Sequence, residues 1–427
     1  MTFAALLRDN RNARYLWFGQ VVSEIGDHFN NIAVLSLALR NEGAGMAVAG
    51  IMLARAVPVI CVGPLAGVML DRFDRRKIMI ASDLIRVAIA LLFLLASRTR
   101  DNSMLYVLSA LLMIASPFFS AGRSAILPTI AGGEQLATAT SLTQTTMWCT
   151  TAVGAWLAGR SIHGFGFAFA FSLNAFSFLF SAGCIWMLRG EFRVQGQANE
   201  KHEQPSPIRD YIAGLRYMRS IPLLFAIGLI SLGWATGGGA AQILFTLFGE
   251  KVFARGAAGT GDIWGAAGLG LVLGGVVAHA LLPRLRFEGY KHTIAIAYLL
   301  HGGMYIIFSQ MTNYSAAIIF ILLSRAAVAV SSVMNMTQVM RHTANEYRGR
   351  VMATLETLTW GMMMLSMSAA GFATADGKVE TIRLVGAVSG ILSSSTAIWW
   401  TWLNLSGRLP DPAVTAPRQS TDALESH

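Results

Sequence analysis

Charge is scarce in this chain. Asp, Glu, Lys and Arg make up 13% of its 427 residues, where a soluble protein carries roughly 25%. With 54% hydrophobic residues, the shortage excludes an ordinary water-solvated globule. Cysteine is nearly absent. Cys61, Cys149 and Cys184 all fall inside apolar runs, without ligand spacing, and read as small core side chains rather than a disulfide framework or metal site. His163, His279 and His301 likewise lack metal-ligand spacing. No G-x-x-x-x-G-K-[ST] phosphate loop occurs, so nothing supports an ATP-driven pump. No nucleophile-plus-base constellation occurs either, and the chain leaves no room for an enzyme domain outside the apolar runs. The start, "MTFAALLRDNRNARYLWFGQ", is basic, but the run after it is long and has no small-residue cleavage site. No cleavable signal peptide is expected.

What is abundant is the apolar run of about twenty residues, the length a helix needs to cross hydrocarbon. Inside a bilayer each peptide group must be satisfied within its own element, so these runs are expected to be helices. Forty-two glycines suit close helix–helix approach. Twelve spans are expected: 15–39, 46–70, 78–97, 103–127, 138–160, 164–188, 221–248, 259–282, 292–310, 313–339, 350–374 and 382–405. The polar stretch 189–220 reads as a linker ending in an amphipathic segment. It divides the chain into an N-terminal six-helix bundle (1–188) and a C-terminal one (221–410), with a disordered tail at 411–427. The expected fold class is an all-α membrane protein in two pseudo-symmetric bundles.

The net charge of +10 does not point to nucleic acid, because Lys and Arg sit in short gaps between apolar runs rather than on one soluble face. Their distribution sets orientation, since positively charged loops stay cytoplasmic. With the N-terminus inside, twenty-one basic residues fall inside and eight outside. Both termini and the linker are therefore expected in the cytoplasm. "GVMLDRFDRRKIMI" (67–80) becomes a tight cytoplasmic hairpin; orientation accounts for Arg75, Arg76 and Lys77 but not for Asp71 and Asp74.

Four arginines remain inside spans, where a charge is costly unless it meets a partner or a wet cavity: Arg55, Arg86, Arg123 and Arg325. Arg86, with Asp83 at i−3, reads as a helix-end pair near the cytoplasmic surface, and Arg55 either snorkels or faces inward. Arg123 shares a face with Ser116, Ser120 and Ser124, a polar stripe expected to face a central cavity. Arg325 shares one with Ser332 and Asn335. In "SEIGDHFNN", Glu24, Asp27 and Asn31 lie on one face of the first helix. Asp27, and less so Glu24, is a coupling or substrate-charge candidate, the alternative being a hydrogen-bonded structural acid. Glu356, with Trp360 one turn on, is a second titrating site or a closure contact. A shift of 212 residues superposes Gln144 and Trp148 on Glu356 and Trp360, Arg72 on Arg284, and Glu134 on Glu346. This suggests a parallel duplication. "WGMMMLSM" (360–367) offers an aromatic and Met-rich wall suited to an adaptable apolar substrate.

"GVMLDRFDRRK" resembles the loop signature of the major facilitator superfamily, G-x-x-x-D-R-x-G-R-R, with Gly67, Asp71, Arg72, Arg75 and Arg76 in register and Asp74 where many members have Gly. "LRDNRNARYLWFGQVVSEIGDHFNNIA", "GRSAILPTIAGGEQLATATSL" and "EYRGRVMATLE" resemble its drug and siderophore exporter branch, which includes macrolide efflux proteins and the enterobactin exporter. The resemblance implies a latch in which Asp71 and Arg72, helped by Arg75 and Arg76, meet helix ends of the neighbouring bundle when the cytoplasmic side is shut. A carboxylate at a helix N-terminus gains roughly 0.3–1 kcal/mol, enough to bias one state over another.

The expectation is a secondary transporter in a bacterial-type plasma (inner) membrane, exporting a small amphipathic molecule such as a drug, siderophore or metabolite by alternating access. It is expected to be monomeric and to be driven by the proton gradient rather than by a bound cofactor. Two rivals stay open. One is a lipid flippase, since lysophospholipid transporters of the same fold share a first-helix Gly-Asp and a fourth-helix basic residue, like Gly26, Asp27 and Arg123. The other is a non-transporting membrane sensor or scaffold.

Overall fold

The computed structural model describes residues 2–42, 45–99, 101–190, 192, 207–344 and 347–411. The expected tail, apart from Asp411, nearly half of the linker (191 and 193–206), and Glu346 of the repeat match lie outside these residues. Those described are helical throughout, without strands. A short α1 (Phe3–Asp9), capped by Thr2, leads into α2 (Arg11–Glu42), α3 (Gly45–Arg72) and α4 (Arg75–Ala96). The helical run α5 (Ser103–Trp186) would measure about 126 Å if straight, some four times the ~30 Å of hydrocarbon. It folds back at Gly132 (φ 67°) and Gly166 (φ 80°), a backbone region that only glycine enters freely. The breaks divide it into limbs α5a (103–131), α5b (133–165) and α5c (167–186).

An amphipathic α6 (Pro207–Ser220) precedes α7 (Pro222–Leu247), whose Pro222 starts the helix at no hydrogen-bond cost. A π-helical turn (Phe248–Val252) extends α7; then come α8 (Gly256–Leu281), α9 (Phe287–Gln310), α10 (Tyr314–His342), α11 (Arg348–Ala373) and α12 (Val379–Leu405). Nine described segments are long and apolar enough to cross a membrane, and one of these, Thr138–Trp186, contains the Gly166 fold-back. Of the long helices, α2 and α11 fall short. They carry the polar run around Asp27 and the stretch around Glu356.

The helices pack in two groups. α2, α3 and α4 pack on α5; α7, α9, α11 and α12 pack together, and α10 joins α8 and α9. The groups meet chiefly through α5 on α8 and α3 on α11. Small residues line this seam. Gly159 stands against Ala257 and Gly261, Gly268 against Ala152, and Gly371 against Ala49. The Gly45 N–H donates to the Thr374 carbonyl at 3.3 Å. Arg160 of α5b pairs with Asp262 of α8 at 3.2 Å, and the Tyr314 hydroxyl donates to the same carboxylate at 2.8 Å. These contacts gather at one end of the helices. Towards the other end, which carries the 71–75 hairpin, the positions a Cβ would take on Gly63, Gly67, Gly349 and Gly361 have no neighbour within 4 Å. The seam contacts join the groups at one end, and at the other, the parted end, these four glycines stand in open space.

Candidate functional site

Between α2, α3, α4 and α5a lies a cavity of about 380 Å³. α2 builds its floor. Gly26 lets that helix approach α5c closely, since a Cβ there would sit on the Ser177 side chain, and the approach leaves Glu24, Asp27 and Asn31 facing the opening. The Gly26-Asp27 pair thus divides its work between packing and polarity.

Glu24 is the hub. Its Oε1 accepts from Arg123 Nη1 at 3.1 Å and Gln20 Nε2 at 2.8 Å, and its Oε2 accepts from Thr150 Oγ1 at 2.8 Å. One carboxylate therefore ties α2 to both α5a and α5b. A second tie is the Trp17 indole N–H donating to Thr146 Oγ1 at 2.8 Å. Ser116 and Ser120 line the cavity beside Arg123, whereas Ser124 is exposed and donates back to the Ser120 carbonyl.

Arg55 does not snorkel. It turns inward and donates to Asn30 Oδ1 at 2.8 Å and to Asn31 Oδ1. The Asp83–Arg86 pair also differs from the surface pair expected at a helix end: both side chains are buried, and the Arg86 guanidinium lies 4.5 Å from the Phe119 ring and 4.3 Å from that of Phe178. Arg86 stands eleven residues into α4, about 16 Å along it, which is mid-span depth. Three acids (Glu24, Asp27, Asp83) thus face three arginines (Arg55, Arg86, Arg123). Asp27 differs from the other two acids. Among the described residues nothing hydrogen-bonds it, although Arg86, Arg55, Glu24 and Asp83 are all within electrostatic reach.

The second group encloses a cavity of about 270 Å³ that brings together Glu356, Trp360, Ser332 and Asn335 with Trp234 and Tyr298. Arg325 is not part of it. It lies two turns, about 11 Å, along α10 from Ser332, on the side of the closed seam, buried with its guanidinium 4.8 Å from the Phe245 ring. Trp148 packs over Gly275 of α8 at the seam, and Gln144 is exposed and lines neither cavity.

The hairpin makes its contacts within its own group. Arg75 Nη1 donates to the Ala125 carbonyl at 2.8 Å and the guanidinium stands 3.9 Å from Asp71, itself 76% exposed. Arg76 donates to the Trp186 carbonyl, while Arg72 is exposed. Asp74 caps α4, its Oδ1 accepting from the Arg76 N–H at 2.9 Å and the Lys77 N–H at 3.3 Å. This is a reason for an acid where the loop signature that the hairpin resembles has Gly. No partner from the second group touches Asp71 among the described residues, as fits a hairpin on the parted end.

The sequence pattern does not single out Gln20, Asn30, Thr146 or Thr150. The glutamine, asparagine and threonines are neutral and give no alarm in an apolar span. Gln20 does carry one signal, its place one turn before Glu24 on the same face.

The Major Facilitator Superfamily profile matches residues 16–367. The chain belongs to the major facilitator superfamily. It is similar to an uncharacterized MFS-type transporter, YfiS, of Bacillus subtilis (28% identity over 53% of each chain). It also resembles the macrolide efflux protein A of Streptococcus pyogenes (29%, over 28% of this chain and 30% of that one). The alignment thus spans about half the length of the first and under a third of the second. A longer match, 81% of this chain and 84% of the other, runs to the putative bacilysin exporter BacE of Bacillus subtilis at 22% identity. Among solved structures, the nucleoside transporter NupG superposes with a TM-score of 0.70 at 10% identity (92% and 98% covered). A bacterial homologue of the iron transporter ferroportin in an inward-facing state gives 0.69 at 16% (92% and 98% covered). These likenesses establish the fold. The protein is a multi-pass membrane protein of the major facilitator superfamily.

Proposed function

We propose that this transporter exports a small amphipathic molecule by alternating access, rocking two six-helix bundles (1–188 and 221–410) about the seam, with proton exchange at Asp27 as the coupling step. The observation that carries the reading is the Asp27 carboxylate: it faces an open cavity inside a span, lacks a hydrogen bond among the described residues, and lies within electrostatic reach of Arg86 and Arg55. Basic residues concentrate at the parted end, which supports a cytoplasmic position for that end, both termini and the linker. The cavity then loads from the cytoplasmic side, and the relatives named for efflux and export support the outward direction. The protein works as a monomer in a bacterial-type plasma membrane. Gln144, Trp148 and Arg325 support the path from the seam, and Glu24, Asn31 and Arg123 shape the first cavity. Asp71, Arg72, Arg75 and Arg76 meet the second bundle only when the parted end closes.

The test is efflux from energised everted vesicles. Substrate accumulation should collapse when the pH gradient is dissipated and in Asp27→Asn; accumulation that survives both excludes proton-coupled export. One observation favours lipid flipping as a second reading. A groove of about 510 Å³ between α5b, α8 and α10 is walled by Leu269, Ile318 and Leu322, with the Arg160–Asp262 pair among its lining residues. Fluorescent-lipid translocation in liposomes decides between the two. Absence of flux for both classes would favour the sensor or scaffold.

A further inference from the structure

Two half-buried or exposed carboxylates, one in each bundle, face a cavity without a hydrogen bond among the described residues: Asp27 and Glu356. Their surroundings differ in kind. Around Asp27 the charges balance, three acids against three arginines. Around Glu356 they do not. No Lys, Arg or His among the described residues lines the second cavity, because Arg325, the arginine inside α10, is turned onto Phe245 two turns away. The Glu356 charge is therefore uncompensated by the residues around that cavity.

The rest of that wall is aromatic and soft. Trp234 of α7, Tyr298 of α9 and Trp360 of α11 line the cavity with Met336 and Met352. Trp360 stands one turn after Glu356 on the same face and is 49% exposed. Aromatic faces carry negative electrostatic potential and attract cations most strongly where water is excluded, and methionines adapt to irregular apolar shapes. A lone carboxylate above aromatic rings, with no competing cation, matches an organic ammonium or phosphonium ion carrying apolar groups. It mismatches an anion, which would meet only repulsion.

We propose that the C-terminal cavity is a subsite for lipophilic organic cations, with Glu356 as the counter-charge and Trp360 and Trp234 as the aromatic wall. Asp27, compensated by arginines, is left to the proton. This assignment rests on the transporter reading and divides its two charges between the bundles.

Binding of two nearly isosteric ions tests it. Quenching of intrinsic tryptophan fluorescence is titrated with tetraphenylphosphonium and with tetraphenylborate, using the full-length protein in nanodiscs of neutral lipid. The cation should bind at least tenfold tighter than the anion. Glu356→Gln should bring the ratio to near one, and Glu356→Asp should restore most of it. Trp360→Ala should weaken cation binding several-fold. A wild-type ratio near one or favouring the anion, or a cation preference that survives Glu356→Gln, overturns the subsite. The ratio is internal to each sample, so loss of folded protein does not mimic a loss of preference. Should the glutamine variant fail to fold, the wild-type ratio and Trp360→Ala still decide. Proton-driven export without cation preference would sink the subsite and leave the export reading intact. A Glu356-dependent preference without any flux would do the reverse.

Discussion

Arg123 and Glu24 meet at 3.1 Å across α5a and α2, each with less than a fifth of its side chain exposed. Thr150 and Gln20 complete the carboxylate's shell. The pair is thus a three-helix tie as well as a charge pair. Removing Arg123 leaves a largely buried carboxylate short of its cation, a loss of roughly 1–3 kcal/mol. Arg123→Ala should lower the thermal unfolding midpoint in detergent and reduce transport. Glu24→Gln, which keeps a hydrogen-bonding side chain, should cost less stability while still reducing transport. Equal midpoints for wild type and Arg123→Ala would remove the tie from the fold's support.

Asp27 has no hydrogen bond among the described residues with which to hold the fold, so its loss should read differently. Asp27→Asn is expected to fold with a midpoint near that of the wild type and to retain substrate exchange across proteoliposomes held at one pH. It should lose the response of transport to an imposed pH gradient. A variant that still accelerates with the gradient would place the coupling proton elsewhere.

Much of this arrangement is legible in the amino-acid sequence. The hairpin motif and the apolar runs carry the family. The i, i+3, i+7 spacing of Glu24, Asp27 and Asn31 gives the cavity face of α2, because helical periodicity and the expense of lipid-facing charge point the same way. Periodicity fails where depth decides. Arg325 and Ser332 share a face, but two turns separate a packed seam from an open cavity. The burial of Asp83 and Arg86 depends on Phe119 and Phe178 arriving from two other limbs, which no local pattern records. Thr150 and Gln20 are invisible as partners in the sequence, because a polar neutral side chain in a span declares its role only when its acceptor is located.

Asp74 gives a test of the hairpin that separates capping from latching. An N-cap acid replaced by Ala costs about 1 kcal/mol, whereas Gly at the same place costs only a few tenths. Asp74→Ala should therefore lower the unfolding midpoint measurably and Asp74→Gly hardly at all, with transport largely kept in the Gly variant. Exposed Asp71 should show the opposite behaviour: Asp71→Asn is expected to leave the midpoint unchanged and to slow transport. If Asp74→Gly destabilised as much as Asp74→Ala, capping would not be the role of this side chain.

The seam offers the conformational test. A Cβ on Gly159 would lie 2.9 Å from the Gly261 Cα, closer than packed atoms tolerate, and the opposing atoms there are backbone that cannot rotate away. Gly159→Val should wedge the closed end apart. In a rocking transporter that would draw the hairpin end together, because interactions present in only one state set the balance between states. Breaking the Arg160–Asp262 pair acts in the same direction more gently, since Arg160 is 55% exposed and its pairing is screened by water. Spin labels at Asp71→Cys and Arg284→Cys, on a background lacking Cys61, Cys149 and Cys184, read the result as a distance distribution. Gly159→Val should move population towards shorter separations and Asp262→Asn should do so to a smaller extent. Distributions that match the unwedged protein in both variants would mean that the two ends do not move as one rigid lever.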